Sequence, residues 1–168
     1  DRHFTPPGRM LLDFASGNAR AYIDCILNII DVRDVAAGHR LACAHGCPGQ
    51  RYILNRHSLS MRAFLESLER LAGRPMPKRR IPSAAALAAS ATMELWSNVV
   101  SGRTPIAPLA GTRMSLRPIV FDHRLAERDL GLPSTPLDRT LSDALTWLSA
   151  HGHLVSEAQK PRLLLDDR

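Results

Sequence analysis

Four metal-ligating side chains lie close together in the sequence: His39, Cys43, His45 and Cys47. His39 and Cys43 have the i, i+4 spacing that brings two zinc ligands to one face of a helix. His45 points away from that face, Cys47 lies past the predicted helix end, and no second ligand pair with a familiar spacing accompanies them. We therefore predict no metal site and interpret the group as a buried cysteine beside a surface histidine. The odd number of cysteines favours free thiols in a reducing cytoplasm.

Neither tyrosine is placed for acid–base catalysis. That chemistry needs a lysine at the i+4 position of the same helix face, where its charge lowers the pKa of the tyrosine. Tyr22 is followed at that spacing by Ile26, and Tyr52 by Arg56. The sequence also lacks the Gly-x-Ser-x-Gly motif of a serine nucleophile, although a Ser-His-Asp or Cys-His set whose members meet only in space stays open. The sequence thus predicts no catalytic residue.

The sequence predicts no cofactor site. Dinucleotides bind at a glycine-rich turn between a strand and a helix N-terminus. The glycines of this chain stand apart, and most of them follow predicted helices. Asp31 and Asp34 flank Arg33 just before a predicted helix, and we interpret them as a helix cap and a local ion pair rather than as paired catalytic carboxylates.

Length and composition are typical of one globular domain. The chain has 168 residues, of which 45% are apolar and 23% charged. Its longest apolar stretch, residues 84–96, is interrupted by polar side chains and is too short to cross a bilayer. The net charge of +6 comes mostly from scattered arginines, and we interpret the single cationic run, Lys78-Arg79-Arg80, as a solvated edge. We expect neither a membrane span nor a nucleic-acid partner.

The spacing of apolar residues predicts helices that alternate with short strands. Helices are expected from the Pro6-Pro7-Gly8 turn to Ala15 and over residues 109–116 and 137–148. Four more helices are expected to begin at a capping residue: from Asp34 to Gly46, from Ser60 to Gly73, from Ser83 to about Val100, and from Asp122 to Leu130. Short strands are expected twice within 21–32, and over 51–54, 79–82 and 119–121. This order indicates an α/β fold with helical crossovers between parallel strands. Residues 153–168 have no pattern and are expected to form a poorly ordered tail.

The first residues lack the features of a protein's start. Asp1-Arg2-His3-Phe4 contains no initiator Met, and no basic and then apolar leader follows it. We therefore expect the chain to be part of a longer protein and to hold no complete catalytic set of its own.

Several segments have a characteristic order: residues 1–9, Ile30-Asp31-Val32-Arg33-Asp34-Val35-Ala36-Ala37, Gly49-Gln50-Arg51-Tyr52-Ile53-Leu54, residues 71–75, and residues 121–132. They are similar to a substrate-bordering segment, a Val-x-Asp-Val-Ala element, a late sheet strand, a helix end and an Asp-x-x-x-Ala-x-x-x-Leu-Gly element. In this order they resemble the carboxy-terminal half of extended short-chain dehydrogenase/reductases, the NAD-dependent epimerase/dehydratase and dihydroflavonol-reductase-like group. The branch that the chain resembles most is the hopanoid-associated sugar epimerases.

The resemblance implies a helix-rich, carboxy-terminal part of an α/β enzyme. Residues 1–152 would supply sheet-edge strands and a substrate-binding subdomain, while the Rossmann half, with its NAD or NADP site and Tyr-x-x-x-Lys pair, is absent from this sequence. The complete enzyme would transfer a hydride between nicotinamide and a carbinol or ketone of a small-molecule substrate. The chain alone would hold no cofactor and be inactive. Thr5, Asn28 and Arg117 are implied as substrate contacts, and a homodimer stays open.

Two departures from the family concern the substrate and a turn. Nucleotide-sugar epimerases carry Arg-Asp-aromatic where this chain has Leu27-Asn28-Ile29, and Asp31 replaces a histidine, so that a UDP-sugar is not implied. The family's Gly-Gly-Glu-Asn turn is here Asn55-Arg56-His57-Ser58, which predicts a turn of a different shape. Two other functions stay open: a basic nucleic-acid-binding module, motivated by the charge, and a non-catalytic partner-binding domain.

Overall fold

The structure, a computed structural model, describes residues 4–96 and 109–154. The elements follow in the order α1 (Pro6–Ala15), β1 (Tyr22–Ile23), β2 (Ile26–Ile29), α2 (Val32–His45), β3 (His57–Ser60), α3 (Met61–Ala72), β4 (Arg80–Ile81), α4 (Ser83–Trp96), α5 (Leu109–Ser115), α6 (Arg124–Leu130) and α7 (Leu137–Ala150). The predicted helix-rich α/β organisation is confirmed. The predicted helix end at Val100 and the tail from residue 155 onward lie outside the described residues.

The strands form two small sheets. β1 pairs with β4 in parallel, with Tyr22 opposite Arg80. β2 pairs with β3 in antiparallel fashion, with Ile26 opposite Ser60 and Ile29 opposite His57. The expectation of parallel strands is therefore right only for the first sheet.

The first core lies where α1, α3 and α7 meet one face of β2. Helix α3 is bounded as the sequence predicts: the Ser60 hydroxyl accepts a hydrogen bond from the Ala63 N–H, and Gly73 ends the helix in the left-handed region. Its apolar face is buried because residues at helical spacing share one side. The buried members of this core are Phe14, Met61, Phe64, Leu65, Leu68, Met76 and Leu141.

The second core lies between α2 and α6. Its buried members are Ala126, Leu130 and Leu132, and Tyr52 and Leu54 pack against them. Gly38 of α2 permits this packing, because a Cβ there would lie 2.8 Å from a Leu54 methyl carbon.

Four helix starts differ from the prediction, those of α1, α2, α4 and α6. Pro6 and Pro7 lie inside the first turn of α1, because proline's fixed φ suits that turn and its missing N–H leaves no helical bond unmade. Ser83 is the first residue of α4 rather than its cap, since the Ala86 N–H already bonds to the Pro82 carbonyl. The predicted cap at Asp122 is wrong, because α6 begins at Arg124 and His123 holds its N-cap position, although the Asp122 carboxylate does accept from the Arg124 N–H.

Asp31, not Asp34, caps α2. The Asp31 carboxylate accepts from the Arg33 N–H at 2.9 Å and from the Thr140 hydroxyl at 2.8 Å. Asp34 lies in the first helical turn, where its carboxylate accepts from the backbone N–H of Thr135 at 2.7 Å and from its hydroxyl at 2.9 Å. We call Asp31, Arg33 and Asp34 the α2 anchor, because they hold the chain segment that enters α7 to the start of α2.

The α2 anchor makes stability depend on pH. Hydrogen bonds from Arg33, followed by one from Thr140, hold the pKa of Asp31 well below its ordinary value of about 4. A carboxylate with a lowered folded-state pKa stabilises the fold above its unfolded pKa and loses that contribution as the pH falls. We expect the free energy of unfolding to drop more steeply below about pH 4 in the native chain than in Asp31→Asn, by urea titration. Equal slopes would contradict this role of Asp31.

The strands predicted at 51–54 and 119–121 do not form, because no other described strand lies beside either segment to receive its hydrogen bonds. The peptide groups of residues 119–121 bond to the side chain of Asn28 and not to a neighbouring strand. Residues 51–54 keep the alternating burial of a strand, since Tyr52 and Leu54 pack inward while Arg51 and Ile53 are exposed. Within residues 4–96 and 109–154, however, the peptide groups of 51–54 bond to no other strand. A strand exists only where another receives its hydrogen bonds, so the predicted strand assignment at 51–54 is wrong for this chain.

Helices α4 and α5 form a pair with its own polar contacts. The hydroxyls of Ser90 and Thr112 lie 2.7 Å apart, and the Glu94 carboxylate accepts from the Leu109 N–H. Among the helices that the structure describes, none is long and apolar enough to span a membrane.

Candidate substrate-facing site

Thr5 opens an apolar cleft between α1 and α7. It occupies the N-cap position of α1, but its hydroxyl makes no capping bond, and only its carbonyl accepts from the Arg9 N–H. The cleft has a volume of about 310 Å³ and is lined by Phe4, Thr5, Gly8, Leu11, Ala144, Trp147 and Leu148. The Thr5 hydroxyl is therefore a polar group without a described partner at the mouth of an apolar space.

Aromatic rings form the outer wall of this cleft. Trp147 stacks on His151 with ring centroids 4.2 Å apart, and His153 lies in a similar plane at 5.6 Å. Phe4 meets Trp147 edge-on at 6.5 Å. The His151 ring nitrogen Nδ1 lies 2.8 Å from the Trp147 carbonyl, so the stack is fixed to the end of α7. Sequence reasoning missed Phe4 and Trp147, because nothing in their types or spacing indicates that these two distant residues are in contact.

Asn28 lies on β2 and holds the segment 119–121. Its Nδ2 donates to the Ile119 carbonyl at 2.9 Å, and its Oδ1 accepts from the Ser58 hydroxyl at 2.7 Å and from the Phe121 N–H at 3.3 Å. Asn55 adds a bond to the Phe121 carbonyl. The predicted strand at 119–121 is thus replaced by hydrogen bonds from the side chains of Asn28 and Asn55, which we call the clamp. One amide hydrogen of Asn28 has no partner among the described residues.

Removal of the Asn28 side chain should loosen this segment. The variant Asn28→Ala deletes four hydrogen bonds, to residues 55, 58, 119 and 121, and one unmatched partly buried group costs about 1–3 kcal/mol. We expect a loss of that size in the free energy of unfolding, together with faster hydrogen exchange at the Phe121 amide. The matched control is Asn18→Ala, at an exposed asparagine after α1. An unchanged exchange rate at Phe121 would contradict the clamp.

Arg117 follows α5 and precedes the clamped segment. Its N–H donates to the Met114 carbonyl and its carbonyl accepts from the Ile119 N–H, so its backbone is held in a turn. Its side chain is exposed and forms no hydrogen bond or ion pair with any residue the structure describes. The structure links Asn28 to the segment that carries Arg117, but no bond among the described residues joins Thr5 to either.

A second, larger cleft lies beside α3. It has a volume of about 640 Å³, and its lining includes Tyr22, Arg62, Glu66, Arg70 and Lys78. Arg62 pairs with Glu66 and Arg70 with Asp138, which lowers their availability for an anionic ligand. No local sequence pattern predicts this cleft, because its charged residues come from separate elements.

Three of the side chains that the sequence analysis considered for metal binding or catalysis, Cys43, Cys47 and Tyr52, have the following surroundings. In the described part of the chain no three histidine, cysteine or acidic side chains converge as metal ligands. Cys43 and Cys47 are both exposed, so the interpretation of the group as a buried cysteine is wrong. The Tyr52 hydroxyl accepts from the Cys47 N–H, which agrees with a structural role.

Comparisons with known proteins give a consistent match. No family model matches the chain. It is 36% identical, over 91% of its length, to a Synechocystis protein that carries the name dihydroflavonol 4-reductase, and 30% identical, over 86%, to sterol demethylase protein B of Methylococcus capsulatus. These matches cover 46% and 44% of the relatives, so the chain spans about half their length.

Two solved structures share the fold. The crystal structure of the protein gox2253 matches 90% of this chain with a TM-score of 0.74 at 30% identity. A nucleoside-diphosphate-sugar epimerase from Pseudomonas aeruginosa matches 88% of it with a TM-score of 0.70 at 26% identity. The matches cover 46% and 43% of those chains.

Proposed function

Because this chain fits the carboxy-terminal half of an extended short-chain dehydrogenase/reductase, we propose that it supplies the substrate-binding part of an NAD(P)-dependent epimerase or reductase. The reaction is hydride transfer between nicotinamide and a carbinol or ketone of the substrate. NAD or NADP supplies the hydride chemistry and binds to a Rossmann half that this sequence does not contain. The hopanoid-associated sugar epimerases are the proposed branch, and the cytoplasm is the proposed location.

The observation that carries the proposal is the unpaired segment 51–54, which has the alternating burial of a strand but no strand beside it among the described residues. Its inward side chains, Tyr52 and Leu54, already pack on the second core. Ile53, on the opposite face, is 45% exposed. An apolar residue on each face is typical of a strand inside a parallel sheet that helices cover on both sides. The segment thus has the pattern of a sheet strand and lacks, among the described residues, the sheet that would pair with it.

The chain's own residues would bind and orient the substrate. Thr5 offers a hydroxyl at the α1–α7 cleft, and Arg117 offers a guanidinium that pairs with no residue in the described ranges 4–96 and 109–154. Asn28 would contribute its remaining amide hydrogen while its other bonds position residues 119–121. Phe4 and Trp147 would exclude water from one side of the bound molecule.

A hybrid protein tests the proposal. In it, the amino-terminal half of the Synechocystis relative precedes this chain and takes the place of the cofactor-binding half that the family resemblance implies. We expect the hybrid to oxidise NADPH when given a dihydroflavonol or a sugar ketone, and the 168-residue chain alone to show no NADH binding in a fluorescence titration. Micromolar binding of NADH by the chain alone would contradict the proposal, and so would a folded hybrid that binds NADPH but reduces no ketone in the panel.

A further inference from the structure

Helix α4 is apolar on every side and largely open to solvent. Of its 14 residues only Ala86 and Ser90 are buried, one turn apart on the face toward α5. Leu95 and Trp96 are 66% and 65% exposed, and most of the remaining exposed surface of the helix is alanine. A helix that is apolar all round is typical of an apolar environment. Within the part of the chain that the structure describes, however, α4 packs chiefly on α5.

Beyond the first residue of α4, its polar side chains have their hydrogen bonds inside the α4–α5 pair. The Thr92 hydroxyl donates to a backbone carbonyl of its own helix. The Ser90 hydroxyl pairs with that of Thr112, and the carboxylate of Glu94 accepts from a backbone N–H of α5. Polar groups that are paired in this way can be removed from water without loss of a hydrogen bond. The exposed side of α4 is therefore suited to contact with an apolar phase.

The net charge of the chain is concentrated around this helix. Residues 78–121 contain six lysines and arginines and a single acidic residue, Glu94, which gives a net charge of +5, whereas the whole chain carries +6. Lys78 and Arg79 precede α4, and Arg113 lies on α5. All three are exposed and form no hydrogen bond or ion pair with any residue that the structure describes. A partner that fits this region combines negative charge with an apolar phase.

Among the classes of partner, the surface of an anionic lipid bilayer offers both properties. A second copy of the chain would bring the same positive charge against itself, and nucleic acid offers charge but no apolar phase for Leu95. At an anionic bilayer, lysine and arginine are attracted to the lipid headgroups, while leucine and tryptophan enter the boundary between headgroups and acyl chains. With 14 residues α4 is too short to cross the bilayer, so it would lie in the plane of the surface.

We propose that the α4–α5 pair docks on an anionic membrane surface, with Leu95 and Trp96 at the boundary between headgroups and acyl chains and the cations of residues 78–121 at the headgroups. The inference does not depend on the proposed function, since it concerns a surface of this chain and no cofactor or substrate.

Binding of the full 168-residue chain is measured by co-sedimentation with vesicles of phosphatidylcholine alone and of equal parts of phosphatidylcholine and phosphatidylglycerol. The chain has two tryptophans, so a Trp147→Phe chain reports on Trp96 alone through its fluorescence. We expect binding to the anionic vesicles, a shift of the Trp96 emission to shorter wavelength, and weaker binding at higher salt. Binding to the neutral vesicles should be weaker by about tenfold or more.

One variant tests the apolar contact. Leu95→Asn keeps the net charge and should weaken binding to the anionic vesicles about threefold to tenfold, because it removes a side chain from the apolar boundary. The matched control is Val32→Asn, which makes a similar change at a side chain that is 77% exposed and lies outside residues 78–121. It should leave the affinity unchanged.

A second variant tests the charge. Lys78→Gln with Arg113→Gln should weaken binding about tenfold or more, since each cation close to an anionic surface contributes about fivefold. Arg51→Gln with Arg139→Gln removes the same charge from exposed positions outside residues 78–121 and should weaken binding far less.

The inference is wrong if the chain binds neutral and anionic vesicles equally, if it binds without a shift of the Trp96 emission, or if Leu95→Asn and Val32→Asn have equal affinities. Two further results would overturn it by identifying another partner. An emission shift that depends on protein concentration without vesicles would indicate a second copy of the chain, and tighter binding to duplex DNA than to the anionic vesicles would indicate nucleic acid.

Discussion

Replacement of Asp34 with alanine is expected to lower the free energy of unfolding by about 2–4 kcal/mol, because it removes two hydrogen bonds to a charged acceptor and a first-turn carboxylate. Asp34 is 4% exposed, so water does not replace the lost bonds to Thr135. The segment that enters α7 would then be held to α2 only by Asp31 and Arg33. Urea unfolding measures the loss as a lower midpoint at constant slope.

The matched control is Asp138→Ala. Asp138 also lies in the first turn of a helix, but its side chain is about half exposed and pairs with Arg70 at the surface. That change should cost at most about 1 kcal/mol. Asp34→Asn should fall between the two, because the Thr135 hydroxyl can accept from an amide. Equal losses for Asp34→Ala and Asp138→Ala would contradict the role of the α2 anchor.

The substitution Ile53→Lys is expected to have little effect on the stability of the chain alone and a large destabilising effect in the hybrid protein. In the chain alone Ile53 is largely exposed, and a surface change of this kind stays within about 0.5 kcal/mol. In the hybrid protein, strand 51–54 would join the Rossmann sheet and helices would cover Ile53. A lysine buried there costs several kcal/mol. We expect the hybrid to unfold at much lower urea concentration, or to fail to bind NADPH.

Ile53→Val is the control for this experiment, because it keeps an apolar, β-branched side chain. It should be tolerated in both proteins. If Ile53→Lys leaves the hybrid as stable as the parent, residues 51–54 do not enter its sheet, and the observation that carries the proposed function is wrong.

Local patterns in the sequence were sufficient for the helices. The Ser60 cap, the apolar face of α3 and the left-handed Gly73 lie within a few turns of each other, so one short window contains the whole signal. The same holds for Gly131, which ends α6. Strands β1 and β2 were predicted too, because their β-branched residues stand between polar breaks.

Contacts between distant segments decided the features that the sequence did not predict. Asp31 and Asp34 are both good capping residues, and the choice between them depends on Thr135 and Thr140, which lie about 100 residues further along the chain. The predictions of strands at 51–54 and 119–121 were wrong, although residues 51–54 keep the alternating burial of a strand. Whether each becomes a strand depends on a neighbour, and Asn28 takes that place for residues 119–121.

At the candidate site, too, some features were predicted from the sequence and others depend on contacts between distant segments. Its substrate contacts, Thr5, Asn28 and Arg117, came from a resemblance and stay predictions. The geometry adds that Asn28 has most of its bonding capacity occupied, whereas the side chains of Thr5 and Arg117 have no partner among the described residues. The aromatic wall of Phe4 and Trp147 joins the two ends of the described chain, and no local window contains both residues.

The most direct test of the central claim measures the hybrid protein with Thr5→Val and Arg117→Met. If this chain supplies the substrate contacts and no cofactor contacts, each change should raise KM for the ketone substrate about tenfold, which corresponds to the loss of one polar contact. The dissociation constant of NADPH should stay within about twofold of its value in the unsubstituted hybrid. A weaker NADPH affinity with unchanged KM would contradict the account, since it would place these residues at the cofactor instead of the substrate.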